Sequence, residues 1–145
     1  MSKVGTYLNF VRNTEEAFTF YKSVFGTEYV GDTMRLGQVP SQPGQPPLAE
    51  EDKNLIMHIE LPILGGHSLH GTDAPESMSF KVNFGNNIYI MLNPDTREET
   101  EKLYNSLSDG AKIVMPLQDM FWGDYYGSLT DKFGVQWMFN CIQKP

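Results

Sequence analysis

The first half of the chain alternates between strand-like and helical spacing of its apolar residues. Residues 4–11 are predicted as a strand, and Asn13 with Glu16 is typical of a helix start. Gly26 supplies a helix stop, and three further strands are predicted at Tyr29–Leu36, Leu55–Leu61 and His67–Thr72. The helix is predicted because the following apolar residues recur at helical spacing: Ala17, Phe18, Tyr21, Val24 and Phe25.

The same order of elements recurs in the second half. A strand at Ile88–Asn93 precedes a helix that begins at the capping box Thr96–Glu99 and ends at Gly110. Three strands follow, with a tight turn at residues 131–134 between the last two: Ala111–Leu117, Trp122–Thr130 and Val135–Ile142. We therefore predict an α+β fold of two tandem βαβββ modules, about 1–73 and about 86–145, in one domain. The sheets are expected to curl into an incomplete mixed β-barrel with the helices outside.

Strand alternation predicts which side chains face away from each helix. In the third strand, Met57, Ile59 and Leu61 are expected to face the helix, while Ile56, His58 and Glu60 share the opposite face. In the fourth strand, Ser68 and His70 belong to that opposite face, which is predicted to line a groove. A hairpin centred on Leu64 makes His58 and His70 direct cross-strand neighbours. The long polar segment of residues 37–53 is predicted as a mobile loop that folds over the groove as a lid.

Composition restricts the classes of partner. The 145 residues carry 11 Lys and Arg against 18 Asp and Glu, a net charge of −7, and no basic cluster. We therefore expect neither nucleic acid nor an anionic membrane as a partner. No segment is long and apolar enough for a membrane span or a signal peptide, and the single cysteine, Cys141, lies in an apolar strand. These features predict a cytoplasmic protein with an inert buried thiol.

Three stretches of the sequence resemble one known family. They are Tyr7–Phe10 with Glu16–Tyr21, then Met57-His58 with Leu69–Asp73, and finally Phe121–Asp124 with Tyr126-Gly127, the 131–134 turn and Trp137. Together with the paired modules they resemble the vicinal oxygen chelate superfamily of glyoxalases, bleomycin resistance proteins and dioxygenases. The similarity is to its PhnB-like branch, which is also labelled demethylubiquinone methyltransferase-like. Lys132 departs from the branch, which usually has proline there.

The resemblance implies a homodimer and, in metal-dependent members, four metal-ligand positions. In this sequence those positions fall at Gly5 or Thr6, His70, Tyr89 and Met138. His70 alone is a competent ligand, and one imidazole does not hold a divalent ion. We therefore predict no metal and no cofactor. The sequence has no glycine-rich nucleotide-binding loop between a strand and a helix, so it does not support the methyltransferase label.

Aromatic, thioether and imidazole side chains are the candidate ligand contacts. Such groups around a groove suit an apolar or planar ligand. Trp137 and Phe139 are expected to face the helix instead, and Asp119 and Asp124 are interpreted as solvated acids rather than as an acid–base pair. The predicted ligand-binding set is Tyr7, His58, His70, Tyr89, Phe121, Trp122 and Met138.

Three functional interpretations remain open from the sequence. The leading one is a metal-independent protein that binds a small molecule of unknown identity. The alternative is a glyoxalase-type lyase, isomerase or dioxygenase that holds a divalent metal ion through His58, Glu60 and His70. In the third, side chains fill the groove and the protein serves as an interaction module.

Overall fold

A computed structural model describes residues 1–40 and 42–143, and it divides the chain into two compact units, Met1–Val82 and Asn83–Pro145. Ser41 of the predicted lid and Lys144 and Pro145 of the second predicted module lie outside the described residues. Neither described helix has the length and apolar character that a membrane crossing requires.

The first unit is a βαβββ module with a four-stranded mixed sheet. The sheet has the order β1-β4-β3-β2, in which β1 and β4 are parallel and the other neighbours antiparallel. Short 3₁₀ turns lie at Leu36–Gln38, Glu50–Asp52, Leu64–Gly66 and Glu76–Met78. The main elements are β1 (Thr6–Phe10), α1 (Thr14–Phe25), β2 (Met34–Arg35), β3 (Ile56–Pro62) and β4 (Ser68–Asp73).

The second unit repeats this architecture. Its sheet has the order β5-β8-β7-β6, and again the first and last strands are the parallel pair. The elements are β5 (Ile90–Leu92), α2 (Arg97–Leu107), β6 (Lys112–Asp119), β7 (Tyr125–Thr130) and β8 (Gln136–Cys141). The predicted α+β class and the two tandem βαβββ modules are therefore confirmed.

Helix α1 packs its predicted apolar face onto β3 and β4. Ala17, Phe18 and Tyr21 are fully buried, and Gly26 ends the helix with a φ of 65°. The predicted N-cap at Asn13 is wrong in its mechanism, because the Asn13 side chain makes no capping hydrogen bond. A carboxylate from β4 takes that role.

That carboxylate belongs to Asp73, which joins three elements at one buried point. Its Oδ1 atom accepts hydrogen bonds from the backbone N–H and the hydroxyl of Thr14, at 3.1 and 2.8 Å. Its Oδ2 atom accepts from the backbone N–H of Ile56 at 2.7 Å. The end of β4 is thereby fixed to the start of α1 and the start of β3.

Helix α2 begins as the sequence predicts. The Thr96 hydroxyl accepts a hydrogen bond from the Glu99 backbone N–H at 3.0 Å, which satisfies a donor of the first turn. Tyr104 on this helix meets Phe139 of β8 edge to face, with ring centroids 5.2 Å apart. Phe139 therefore faces the helix as predicted, and Trp137 and Cys141 are buried beside it in β8.

The turn between β7 and β8 is organised by Asp131. Its Oδ1 atom accepts hydrogen bonds from the backbone N–H groups of Phe133 and Val135, and its Oδ2 atom accepts from the Trp137 indole at 2.8 Å. Gly134 has a φ of 91°, which favours glycine. The predicted tight turn is confirmed.

Two details of the predicted strands are wrong. The second strand was expected over residues 29–36, but β2 is only Met34–Arg35, and its pairing with β3 has a register irregularity. Earlier in the segment, the Val30 backbone N–H donates to the carbonyl of Glu60 in β3. At the start of β3 the predicted burial is reversed: Ile56 is buried and Met57 is exposed. The backbone bond from Ile56 to the buried Asp73 holds this end of the strand against the core.

Candidate ligand-binding site

Three side chains form a row across the first sheet. Tyr7 of β1 pairs in register with His70 of β4, and His70 pairs with Glu60 of β3. Side chains paired in this way point to the same face of a sheet. This face lies opposite α1, because the next residue, Gly71, points at the Phe18 ring of α1. We call these three side chains, Tyr7, His70 and Glu60, together with His58, which is hydrogen-bonded to His70, the polar row.

The two histidines of the polar row bind each other. The Nε2 atom of His58 and the Nδ1 atom of His70 are 3.0 Å apart, which is hydrogen-bond distance. One nitrogen donates and the other accepts, so at least one imidazole is neutral. The Tyr7 ring lies parallel to the His70 ring, with 3° between the planes and 6.0 Å between centroids.

The outer nitrogens of the pair remain available. Neither imidazole makes another hydrogen bond within residues 1–40 and 42–143. No buried side-chain nitrogen or oxygen in that part of the chain lacks a partner, so the two outer nitrogens are accessible to solvent. In a neutral pair one of these nitrogens donates and the other accepts, which suits a polar organic group.

The predicted pairing of the histidines needs a correction. His70 lies directly opposite Glu60, and His58 is its diagonal neighbour. The hairpin is centred on Gly65 and not on Leu64, because the Ile63 backbone N–H donates to the carbonyl of His67 across the loop. A two-residue change of register leaves each side chain on its predicted face, so the histidines still meet.

Glu60 is the charged member of the row. Its side chain is only 14% exposed, and its Oε1 atom lies 4.0 Å from the Nδ1 atom of His70. This distance is too long for a hydrogen bond, and His58 already occupies that nitrogen. Within the described residues no hydrogen bond reaches the Glu60 carboxylate.

The metal-ligand positions that the resemblance implies carry one strong metal donor, the imidazole of His70. Of the two candidates at the first position, Gly5 shares the face of His70, because a Cβ atom on Gly5 would lie 3.1 Å from that imidazole. Thr6 points the other way and bonds His67 through its hydroxyl at 2.8 Å. Glycine has no donor, and the tyrosine and thioether at Tyr89 and Met138 add no strong ligand for a divalent ion.

A metal site elsewhere is not formed by the described residues either. Within residues 1–40 and 42–143 no group of three or more His, Cys, Asp or Glu side chains is placed to hold a metal ion. This finding includes His58, Glu60 and His70, the set that the alternative interpretation of the sequence requires. In the polar row, His58 and His70 direct one nitrogen each toward the other.

In the second unit, two predicted contacts lie at an exposed turn between β6 and β7. Phe121 is 96% exposed and Trp122 is 50% exposed, and their rings meet edge to face. Trp122 also meets Tyr126 edge to face. The turn is closed by backbone hydrogen bonds from Met120 to Asp124 and from Gly123 to Met120, at 2.8 and 2.9 Å.

The other two predicted contacts of this unit are half-buried. Met138 lies in β8 opposite Met91 and Ser128, on the face turned away from Phe139 and α2. Tyr89 precedes β5 and is half-buried.

The acidic residues that flank the aromatic turn are engaged in structural bonds. Arg97 donates two hydrogen bonds to Asp119, at 2.6 and 3.2 Å, and lowers the pKa of that carboxyl. The same guanidinium lies over the Tyr125 ring, 3.8 Å from its centroid. Asp124 accepts a hydrogen bond from the Asn140 amide. Both contacts fasten the turn to the rest of the second unit.

Two residues of these clusters are not among the predicted contacts. Tyr126 lies on the same sheet face as Met138, because it alternates with Ser128, the partner of Met138. Gly5 was left undecided against Thr6, and the parity of Gly5 with Tyr7 was the signal that distinguishes them.

Comparisons with known proteins follow this architecture. The family model described as Glyoxalase/Bleomycin resistance protein/Dioxygenase superfamily matches residues 3–139. Protein YjdN of Escherichia coli K12 is 27% identical over 146 residues, which cover 97% of this chain and 96% of YjdN. The crystal structure of PA1353 from Pseudomonas aeruginosa is similar, with a TM-score of 0.83, 32% identity and coverage of 99% and 100%.

A PhnB protein from Bacillus cereus, described as a putative 3-demethylubiquinone-9 3-methyltransferase, is also similar. Its TM-score is 0.74 and its identity 25%, over 97% of this chain and 99% of that one. The resemblance stated from the sequence is thus confirmed. Because the family match spans nearly the whole length, the chain belongs to the glyoxalase/bleomycin resistance protein/dioxygenase superfamily and has PhnB-like proteins among its structural neighbours.

Proposed function

We propose that this protein is a metal-independent small-molecule-binding protein of the PhnB-like branch. The observation that carries the proposal is the polar row, where a fixed imidazole pair leaves two ring nitrogens accessible beside an exposed tyrosine ring. Ligand sites combine apolar surface with a few preorganised polar groups of this kind. Tyr7, His58 and His70 are the proposed ligand contacts of the first unit.

The second unit contributes its own proposed contacts. Phe121 and Trp122 expose aromatic surface on a turn held by backbone hydrogen bonds, so little conformational entropy is lost on binding. Tyr89 and Met138 add a phenol and a polarisable thioether, which suit a planar or apolar ligand.

Metal independence is supported by donor chemistry. Of Gly5, His70, Tyr89 and Met138, only His70 offers a ligand that a divalent ion binds well. A divalent-metal lyase, isomerase or dioxygenase would need His58, Glu60 and His70 to converge on one ion. Stoichiometric metal in purified protein that is lost in the His58→Phe and His70→Phe variants would establish that function instead.

A thermal-shift screen with divalent metals, dicarbonyl adducts and hydrophobic drugs tests the proposal. A ligand of the folded protein raises the melting temperature by mass action. We expect organic compounds to raise it and His70→Phe to abolish the shift. His67→Phe is the matched control, since it removes an imidazole of the same hairpin that bonds Thr6 and not the row. Organic hits that survive His70→Phe would contradict binding at the row.

A homodimer in the cytoplasm is part of the proposal. Strand β6 is the edge of the second sheet, and Ile113 and Val114 on it are 44% and 49% exposed. Exposed apolar edges favour coverage by another chain. We expect sedimentation equilibrium to give a dimer and Val114→Lys to weaken it. A monomeric protein at micromolar concentration would count against the dimer and leave ligand binding intact.

A further inference from the structure

The polar row holds an anionic group without a donor. The Glu60 side chain is 14% exposed, and the described residues direct no hydrogen bond to it. No buried side-chain oxygen among the described residues lacks a partner, so the carboxylate oxygens of Glu60 reach solvent although most of the side chain is covered. In these partly covered surroundings a hydrogen bond from a ligand is stronger than at a fully exposed carboxylate.

No Lys or Arg among the described residues lies within ion-pair distance of Glu60. Arg12 is bonded to Asp52 and Glu76, and Arg35 makes a two-pronged contact with Glu15. The Nδ1 atom of His70 lies 4.0 Å from the Glu60 carboxylate, and it is already hydrogen-bonded to His58.

An aromatic ring stands at the other end of the row. Tyr7 is 53% exposed, and it flanks His70 on the side opposite Glu60. Tyr7 and Glu60 lie two strand spacings apart, about 10 Å between backbones. An aromatic face of this kind attracts planar groups and cations.

We propose that the ligand carries a positively charged nitrogen that donates to Glu60, joined by a short spacer to a planar group that lies against Tyr7. The chemical class is an aryl-alkyl amine. This inference rests on the proposed small-molecule binding and adds the charge of the ligand to it. The net charge of −7 favours the approach of such a cation.

Two probes of the same shape test the proposal. We would titrate 3-phenylpropylamine and 3-phenylpropan-1-ol into ¹⁵N-labelled protein and follow the backbone amides of Tyr7, Glu60 and His70. The probes share ring and chain, but only the first carries a charge. We expect the amine to bind about tenfold more tightly, as for a hydrogen bond between charged partners.

Variants then assign the charge effect to one residue. Glu60→Gln keeps the shape and removes the charge, so the two probes should bind it with equal affinity. Glu28→Gln is the matched control, because it removes one acidic charge from a side chain that is 88% exposed. The preference for the amine should persist in the control. Overlaid amide spectra verify that each variant is folded.

The outcomes separate the inference from the proposed function. Equal affinity of both probes for the native protein, or a preference that survives Glu60→Gln, would overturn the inference. Neutral compounds that bind at Tyr7 and His70 as tightly as amines of the same shape would overturn it while leaving small-molecule binding in place. If compounds of neither charge shift these amides, both proposals fail. Should Glu60→Gln not fold, the probe comparison in native protein still decides.

Discussion

At the scale of single residues, Gly71 shows how closely α1 approaches its sheet. A Cβ atom at this position would lie 2.5 Å from one carbon of the Phe18 ring and 3.0 Å from the Thr14 methyl group. Both neighbours are fully buried, so neither can move without disturbing the core. The glycine is therefore needed for close packing between helix and strand.

Gly71→Ala should lower the free energy of unfolding by about 1–3 kcal/mol, because the added methyl group overpacks this contact. Urea denaturation measures the change. Gly85→Ala is the matched control, since the nearest atom to a Cβ there, Oδ1 of Asn87, is at an ordinary 3.4 Å. Equal stability of the two variants would show that the Phe18 contact relaxes at no cost.

Single residues also show what sequence could predict of the candidate site. Strand alternation placed His58 and His70 on one face, and the structure bonds them there. The isolation of Glu60 could not be predicted, because it depends on where the arginines of distant segments find their partners. The remaining predicted contacts, with Tyr89 and Met138 among them, stay predictions about the ligand.

At the scale of elements, the two helices begin by different means. Thr96 caps α2 from its own chain position, whereas α1 receives its cap from Asp73, 59 residues beyond Thr14. A sequence pattern describes only neighbours along the chain, so it predicted Thr96 correctly and gave the role of Asp73 to Asn13. The start of α1 thus depends on the completed sheet.

Variants of these capping residues should lower the free energy of unfolding by different amounts. Asp73→Asn places an amide against buried N–H donors and should cost about 1–3 kcal/mol. Thr96→Ala should cost about 1 kcal/mol. Asn13→Ala, the control, should change stability by less than about 0.5 kcal/mol, because its side chain makes no capping bond. Urea denaturation gives all three values, and a large effect of Asn13→Ala would contradict this account.

The order of elements was predictable, and the weakly paired segments were not. Apolar periodicity and turn residues sufficed for both helices and for β3, β4, β7 and β8. The segment of residues 29–36 has strand-like composition, yet only Met34 and Arg35 form a strand, and their register with β3 is irregular. Such an outcome depends on the partner strand and not on local preference.

At the scale of the whole molecule, a buried carboxylate ties distant segments of the first unit together. Asp52 accepts hydrogen bonds from the Ser77 hydroxyl at 2.6 Å and from Arg12 at 2.7 Å. These contacts join the end of the 37–53 loop to Arg12, two residues after β1, and to the segment after β4. The Ser77 hydroxyl, and then the Arg12 guanidinium, hold the pKa of Asp52 below its ordinary value.

The hydrogen bonds of Asp52 predict that the stability of the protein depends on pH. The pKa of Asp52 is lower in the folded than in the unfolded chain, so its contribution is complete above the unfolded value, about 3.9. This stabilising contribution is lost as the pH falls through the pKa of Asp52 in the folded chain. Asp52→Asn should flatten the fall in unfolding free energy below about pH 4, measured by urea denaturation at several pH values.

The control for this prediction is Asp32→Asn, which alters an exposed carboxylate that bonds no side chain among the described residues. Its acid profile should follow that of the native protein. If the native protein and Asp52→Asn lost stability with falling pH in the same way, the hydrogen bonds of Asp52 would not be the source of the acid dependence.

The parallel pairing of the first and last strand in each unit has a consequence for synthesis on the ribosome. Strand β1 leaves the exit tunnel first, but its hydrogen-bonding partner β4 follows more than fifty residues later. Until then its polar backbone and the apolar side of α1 have no completed sheet to join, and Asp73 has not yet emerged from the tunnel. A nascent first unit is therefore expected to stay open to chaperones and proteases until β4 emerges, and then to close cooperatively.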